Sequence, residues 1–275
     1  MKTPHDSALG KSAPYPDRYD PALLFAIPRA PQRAAIGIPA EGLLPFHGVD
    51  IWNAYELSWL DARGKPEVAI GEFRIPATTP NLVESKSLKL YLSGFHQERL
   101  RSRDELRARI ANDLSEATGG AVDVRVRSAQ GFADADTEEL AGEAIDELPI
   151  AIESYGPPDP RFLKTTDDDV DESLVSHLLK SNCPVTGQPD WASVQIRYAG
   201  PRVDREGLLR YLVSFRNHAD FHENCVERIY MDLMRHCAPR HLCVYARYTR
   251  RGGLDINPWR SSEPGEPPNR RVLRQ

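Results

Sequence analysis

Residues 88–95 read Leu-Lys-Leu-Tyr-Leu-Ser-Gly-Phe, and residues 208–215 read Leu-Leu-Arg-Tyr-Leu-Val-Ser-Phe. Leu, Tyr, Leu and Phe return at the same places, at an offset of 120 residues. The same offset continues through the next helical stripe, pairing Leu106, Ile110 and Leu114 with Val226, Tyr230 and Met234. An offset that persists over this length predicts an internal duplication. Two unrelated α+β segments that happen to share common residues are the alternative.

Each half is predicted to form two strands, a helical segment and a further strand. In the first half, residues 50–59 and 67–75 are strand-like runs joined by turn residues. A helix is predicted to begin at Ser102, because Glu105 three residues later completes a capping box. The pair Gly119-Gly120 is expected to end that helix.

Composition limits the classes of function. A chain of 275 residues, 40% of them hydrophobic, can bury a large core, and its net charge of −5 argues against a broad phosphate-binding surface. We therefore expect no nucleic-acid partner. No signal peptide or membrane-spanning run is recognisable, and we expect a cytoplasmic protein whose four cysteines are free thiols.

Changes in composition along the chain predict four segments. Residues 1–48 are interpreted as an N-terminal arm, 49–133 as a first module, 134–172 as an acidic, Pro-containing connector, and 173–275 as a second module.

Cys183 is the first candidate for chemistry. It is followed by Pro184, Gly187 and Pro189, which predicts a turn-rich loop where a cysteine can be partly exposed and its thiolate tuned. A small buried filler is the alternative. Asp190 could fold back toward the sulfur and act as an acid beside a nucleophile. The other cysteines, flanked by predicted helix or strand, fit a structural role.

Two charged pairs are ambiguous from sequence alone. His222 and Glu223 would diverge by about 100° on a helix, so a solvated pair is one interpretation. Glu84 and Lys86 are equally compatible with a solvated, charged helix start. Neither Cys-x-x-Cys nor His-Glu-x-x-His spacing occurs, so we expect no metal. A Gly-x-Gly-x-x-Gly fingerprint is also absent, so a dinucleotide would not be held in a Rossmann manner.

Four segments together resemble the QueF family of nitrile reductases: 84–91, 183–190, 221–223 and 251–258. The resemblance implies an α+β fold of two tandem tunnelling-fold modules, in which antiparallel strands with paired helices assemble into a barrel. It also implies a homodimer that reduces 7-cyano-7-deazaguanine, a deazapurine on the route to queuosine in tRNA, with NADPH and without metal.

The resemblance further implies roles for individual residues. Cys183 would form a covalent thioimidate, Asp190 would protonate the nitrogen, and His222 would orient the substrate or assist proton transfer. The implied substrate-binding residues are Val83, Glu84, Ser85, His222 and Glu223. The implied NADPH-binding residues are Ser85, Lys86, Arg251 and Gly252.

Two other functions compete with this interpretation. One is a metal-dependent cyclohydrolase acting on a pterin or GTP, which would hold a stoichiometric zinc. The other is a tRNA- or partner-binding module that has kept the fold and lost the chemistry; the intact cysteine loop and the acidic net charge count against it.

Overall fold

The structure, a computed structural model, describes residues 15, 16, 18–132 and 137–275, with the side chain of Ala129 excepted. Parts of the predicted arm (1–14 and 17) and connector (134–136) therefore lie outside the described residues. Over the described chain the fold is mixed α+β, with far more strand than helix. The strands are β1 Ala26–Pro28, β2 His47–Leu60, β3 Pro66–Pro76, β4 Asn81–Val83, β5 Asp123–Ser128, β6 Glu143–Ala144, β7 Thr165–Asn182, β8 Pro189–Val203, β9 His241–Tyr248 and β10 Leu254–Ser261. The helices are α1 Ala30–Ala35, α2 Ser85–Ser93, α3 Arg103–Thr118, α4 Arg205–Val213 and α5 His222–Cys237.

The chain divides into two compact units. The first contains the described parts of 1–31, 49–136 and 250–256, and the second contains 32–48, the described part of 137–249, and 257–275. The order β2-β3-α2-α3-β5 in the first unit returns as β7-β8-α4-α5-β9 in the second. This repeated order is what the duplicated sequence predicts. The division into four segments remains a prediction. The boundary between the two units falls inside the predicted arm, with residues up to 31 in the first unit and 32–48 in the second.

The first unit buries one face of a sheet under two helices. Its strands lie in the order β5-β3-β2, all antiparallel, with Phe73 opposite Trp52 on one side and Val124 on the other. Alternate residues of β3 are buried, as the period of two in a half-buried strand requires. The buried face packs with the apolar sides of α2 and α3, including Leu88, Tyr91, Leu106, Ile110 and Leu114.

The second unit is built on the strand order β10-β9-β8-β7-β6, antiparallel except for the short parallel pair β6-β7. Helix α5 packs against β9, and α4 packs against β7. The β7-β8 register shifts between Ser176 and Leu179. Among the described strands of either unit, the order is open and none closes a barrel.

The prediction for helix α3 is confirmed. Ser102 Oγ accepts the Glu105 backbone N–H, and the helix ends at Gly119 with φ +77°. The capping box differs in one respect, because the Glu105 carboxylate accepts from the N–H of Arg101 rather than that of Ser102. Both ends of α3 are therefore set by local sequence.

The predicted offset is wrong by one residue in the second helix of the repeat. Helix α5 lies 119 residues beyond α3, so that Leu106, Ile110 and Leu114 correspond to Cys225, Ile229 and Leu233. Met234, which the offset of 120 would place in the core, is only half-buried. The loop after Phe215 is one residue shorter than the loop after Phe95, and this shortening shifts the helix.

The predicted extended arm also contains regular structure. Strand β1 pairs with β4, Ala26 lying opposite Val83, and six residues form α1. In the second unit, Arg33 of α1 is buried and forms an ion pair with Glu227 over 2.7 Å. The arm is thus held by backbone pairing and by a buried charge.

Both units use the same tyrosine–aspartate hydrogen bond to hold their helices together. Tyr91 donates to Asp113 over 2.5 Å, and Tyr211 donates to Asp232 over 2.7 Å. Tyr19 donates to Asp113 as well, over 2.7 Å. If the Tyr91 hydroxyl is removed, Asp113 therefore still accepts a hydrogen bond from Tyr19. If the Tyr211 hydroxyl is removed, Asp232 loses the hydrogen bond that it supplies.

We expect Tyr211→Phe to destabilise the protein more than Tyr91→Phe. Hydrogen bonds to charged groups contribute about 1.5–3 kcal/mol, and a carboxylate left buried without its donor adds a desolvation cost. Urea unfolding of both variants measures the difference. Equal losses in the free energy of unfolding would contradict the assignment of Tyr19 as the second donor.

Candidate active site

The β7-β8 hairpin places Cys183 near Asp190. Ser181 lies opposite Asp190 in the ladder, and Cys183 follows two residues later. The Cys183 N–H donates to the Gln188 carbonyl over 2.9 Å, and the Gly187 N–H donates back to the Cys183 carbonyl over 3.0 Å. These two bonds fold residues 183–188 into a tight turn, as the run of Pro and Gly predicts.

Cys183 is more buried than its loop position predicts, with 5% of its surface exposed. Burial raises the pKa of Cys225 well above its ordinary value, and raises the pKa of Cys237 and of Cys243 to about 11. These three cysteines therefore remain neutral thiols near pH 7, as the structural role predicted for them requires. Cys243 differs from expectation in being only half-buried.

Backbone hydrogen bonds from the end of β7 set the start of α5. The Asn182 N–H donates to the His218 carbonyl over 2.8 Å, and the Asp220 N–H donates to the Asn182 carbonyl over 3.1 Å. The chain then turns into α5, whose first residue is His222. The residue before Cys183 thus fixes where the helix begins.

His222 lies between an acid and an aromatic ring. Its Nε2 is 3.3 Å from Asp190 Oδ1, and its ring meets that of Tyr248 edge-on, with centroids 4.0 Å apart. Asp190 is 5% exposed and Glu223 is 2% exposed. The interpretation of His222 and Glu223 as a solvated pair is therefore wrong. The first turn of α5 is enclosed, so side chains that diverge around the helix are both covered.

Sequence reasoning missed two residues of this cluster, Ser181 and Tyr248. Tyr248 ends β9 and lies opposite Ala192 of β8, two residues beyond Asp190. Burial holds the pKa of Tyr248 well above its ordinary value; the charges of Asp190 and Glu223 act in the same direction, and the Ser181 hydroxyl acts against it. The signal available from sequence was the alternation of β9, which puts Tyr248 on the face that α5 covers.

In the first unit, Glu84 forms the N-cap of α2. Its Oε1 accepts from the Lys86 N–H over 2.6 Å and its Oε2 accepts from the Ser87 N–H over 2.8 Å. The side chain is fully buried, and burial raises its pKa while the two backbone donors lower it. Glu84 is therefore not part of a solvated helix start, whereas Ser85 and Lys86 are half-buried.

The second unit has an N-cap of the same geometry, but the charged residues that follow it are different. Asp204 accepts from the N–H groups of Glu206 and Gly207 at the start of α4. The two residues after the cap are Ser85-Lys86 in α2 and Arg205-Glu206 in α4. Arg205 bonds to Glu172 over 2.7 Å, so this cation is already neutralised. The capping geometry is common to both units, and the half-buried lysine is specific to the first.

The predicted NADPH-binding residues come from helix α2 and from the turn at residues 251–254, and these two elements contact each other. Arg251 and Leu254 exchange backbone hydrogen bonds around Gly252 and Gly253, whose φ values are +57° and +80°. Two consecutive positive φ angles make the two-residue hairpin turn that favours glycine. Lys89 of α2 lies so close that a Cβ at Gly252 would be 2.9 Å from its Nζ. Glycine at this position lets the lysine approach the backbone.

A metal centre and a membrane-spanning helix are two further features that bear on function. Among the described residues, no three His, Cys, Asp or Glu side chains group as a metal site. None of the helices in that part of the chain is long and apolar enough to cross a membrane.

Known proteins similar to this chain cover nearly its whole length. A family profile described as nitrile reductase, 7-cyano-7-deazaguanine-reductase N-term, matches residues 15–126, and one described as QueF-like protein matches residues 189–266. An NADPH-dependent 7-cyano-7-deazaguanine reductase of Cupriavidus metallidurans is 56% identical over 100% of both chains. The protein of the same name from Chromobacterium violaceum is 57% identical over 99% of this chain and 98% of its own. A third, from Bordetella parapertussis, is 57% identical over 96% of each.

Proposed function

The chain belongs to the family of NADPH-dependent 7-cyano-7-deazaguanine reductases. We propose that the residues around Cys183 carry out the chemistry on the nitrile and that the residues around the start of α2 and the turn at Gly252 bind NADPH. It is an oxidoreductase that uses NADPH to convert 7-cyano-7-deazaguanine to 7-aminomethyl-7-deazaguanine, a step toward queuosine in tRNA. The observation that carries the assignment of roles is the pair of Asp190 and His222, 3.3 Å apart, at the end of the hairpin that also buries Cys183. The direct test is NADPH oxidation on addition of the nitrile.

Cys183 is the nucleophile in this proposal. Its sulfur adds to the nitrile carbon: the S–H bond breaks and its proton passes to Asp190, a C–S bond forms, and one π bond of the nitrile moves to nitrogen as an electron pair. Asp190 gives a proton to that nitrogen, which completes the thioimidate. The Nε2 of His222, 3.3 Å from Asp190, orients the carboxyl group.

The cluster also has to protect the imine that forms between the two reductions. Two molecules of NADPH, bound one after the other, would each supply one hydride. The first hydride turns the thioimidate into an imine, with loss of the sulfur, and the second turns the imine into the amine. An imine hydrolyses in water, so the site must exclude water until the second hydride has been transferred. Support comes from the burial of Cys183, Asp190 and Glu223, none more than 5% exposed.

The deazaguanine ring is assigned to carboxylates. A carboxylate accepts two hydrogen bonds, and the ring N–H with its neighbouring amine offers two donors side by side. Glu223, buried at the start of α5, suits this role in the second unit. Val83, Glu84, Ser85 and His222 are proposed as further substrate-binding residues.

The cofactor is assigned to the first unit. Its phosphates are anionic, and Lys86 and Arg251 bring cations to α2 and to the adjoining glycine turn, beside Lys89, which pairs with Glu56 over 3.5 Å. The turn at Gly252 leaves backbone open to a close approach, and Gly252 is exposed.

Assembly and location complete the proposal. The repeated strand and helix order suits two tunnelling-fold modules that close a barrel by forming a homodimer. The net charge of −5 suits a small-molecule substrate rather than a nucleic acid, and four free thiols suit the cytoplasm.

With substrate and no NADPH, we expect a covalent mass adduct on Cys183 alone. Cys183→Ala should abolish the adduct and turnover, because the other thiols stay protonated. Intact mass and peptide mapping measure this, with Cys243→Ala as the matched control that should keep the adduct. Modification of Cys225, Cys237 or Cys243 would overturn the choice of nucleophile.

Asp190→Asn should leave folding and substrate binding intact but lower kcat by about 10²–10⁴-fold, since an amide cannot supply the proton. Asp169→Asn, which changes an exposed aspartate paired with Arg240 in the same sheet, is the control. A kcat within about a factor of two of the parent would mean that another group protonates the nitrogen.

Lys86→Ala and Arg251→Ala should raise the KM for NADPH much more than they weaken binding of the nitrile. NADPH should be preferred over NADH, most strongly at low salt, because a cation meets the extra phosphate. Both variants should still form the Cys183 adduct. Arg125→Ala removes an exposed cation elsewhere in the first unit and should leave the KM unchanged. Normal NADPH binding with loss of the nitrile would reverse the assignment of the two groups.

A further inference from the structure

The hydroxyl of Tyr248 is buried in the active-site cluster without a hydrogen-bond partner among the residues that the structure describes. The nearby Ser181 hydroxyl, which also lacks such a partner, is close enough to oppose the rise in the pKa of Tyr248, but the two hydroxyls do not meet at hydrogen-bonding geometry. Tyr248 is 1% exposed, so its hydroxyl lies away from bulk solvent. Leaving a donor unpaired in a protein interior carries the full cost of its desolvation, and a phenylalanine of the same shape would avoid that cost. Such a group is rare in folded proteins, and a functional use is one of its few explanations.

The position of Tyr248 connects it to the reacting groups. Its ring packs edge-on against His222 at 4.0 Å between centroids, and His222 in turn lies 3.3 Å from Asp190. On the neighbouring strand, the residue opposite Tyr248 is Ala192, two positions beyond Asp190 and on the same face. Tyr248 and Asp190 therefore point into one enclosed space from adjacent strands.

We propose that Tyr248 is a second hydrogen-bond donor to the nitrogen that becomes anionic when Cys183 adds to the nitrile. This inference rests on the function proposed above. In the addition, the S–H bond breaks, the sulfur–carbon bond forms, the π electrons move to nitrogen, and Asp190 delivers to that nitrogen the proton it took from the sulfur. Tyr248 keeps its own proton and stabilises the developing charge, as donors of an oxyanion hole do in acyl transfer.

The chemistry of the side chain suits a fixed donor rather than an acid. Burial beside carboxylates raises the pKa of the Tyr248 phenol, which keeps it neutral at any pH at which the protein works. A donor that does not ionise can support both reductions without being regenerated. Because it is already desolvated and packed against His222, it needs little reorganisation when charge develops.

The contrast with Tyr211 separates a functional hydroxyl from a structural one. Tyr211 is equally buried, but its hydroxyl donates to Asp232 over 2.7 Å in the same unit. Removing that hydroxyl breaks a bond present in the folded protein. Removing the hydroxyl of Tyr248 breaks none among the described residues.

The test compares Tyr248→Phe with Tyr211→Phe in the full-length protein. The rate of Cys183 adduct formation is followed by mass spectrometry, the affinity for 7-cyano-7-deazaguanine is measured in a Cys183→Ala background, and thermal unfolding reports stability. We expect Tyr248→Phe to slow adduct formation by about 100-fold, with a Tm equal to or above that of the parent. Substrate affinity should change by less than about threefold, because the donor acts on charge that develops only during addition. Tyr211→Phe should lower the Tm and leave the rate of adduct formation close to that of the parent.

The outcomes separate the two proposals. If the parent forms the adduct and Tyr248→Phe forms it within about twofold of the same rate, the donor role is wrong and the proposed function stands. A lower Tm for Tyr248→Phe with an unchanged rate would make the hydroxyl structural. A parent that neither forms the adduct nor oxidises NADPH would overturn the proposed function, and this inference with it.

Discussion

The register of the β7-β8 hairpin is the constraint on which the active site depends. A slip of one residue would turn Asp190 to the opposite face of the sheet, away from His222 and Tyr248. The turn bonds between Cys183 and Gln188 fix that register at the hairpin end, and the irregularity between Ser176 and Leu179 resets it farther along the strands. Since Asn182 also bonds the segment before α5, the same register decides where His222 enters the site.

The duplication explains how one scaffold holds two different kinds of site. Glu84 and Asp204 do the same structural work, each satisfying two N–H groups that a helix start leaves without partners. What differs is the side chains that this common geometry presents. The first unit offers a half-buried lysine beside a glycine turn, whereas the second encloses a thiol, an acid and an imidazole. Because the capping carboxylate already satisfies the backbone N–H groups, the side chains that follow it can differ with little loss of stability.

Features that depend on neighbouring residues could be predicted from the sequence. Helix α3 begins and ends where Ser102 and Gly119 indicate, and the turn after Cys183 forms where Pro and Gly cluster. That His222 is largely covered, with 12% of its side chain exposed, could not be predicted, because the cover comes from strands far away in the sequence. A tyrosine that ends an apolar strand, as Tyr248 does, is typical of an ordinary core position. Its unpartnered hydroxyl exists only once the strands and α5 have come together.

Burial has two opposite effects on the chemistry of a catalytic thiol. An enclosed site keeps water from a reactive imine, but burial also disfavours the charged thiolate, as the raised pKa values of Cys225, Cys237 and Cys243 illustrate. Those three thiols lie within helices and strands and are inert for that reason. Cys183 differs in its surroundings: it lies in a hairpin turn, near a buried acid–imidazole pair and a neutral donor. In the proposed mechanism, the choice of Cys183 among the four cysteines therefore depends on which polar groups share the enclosure, and not on exposure.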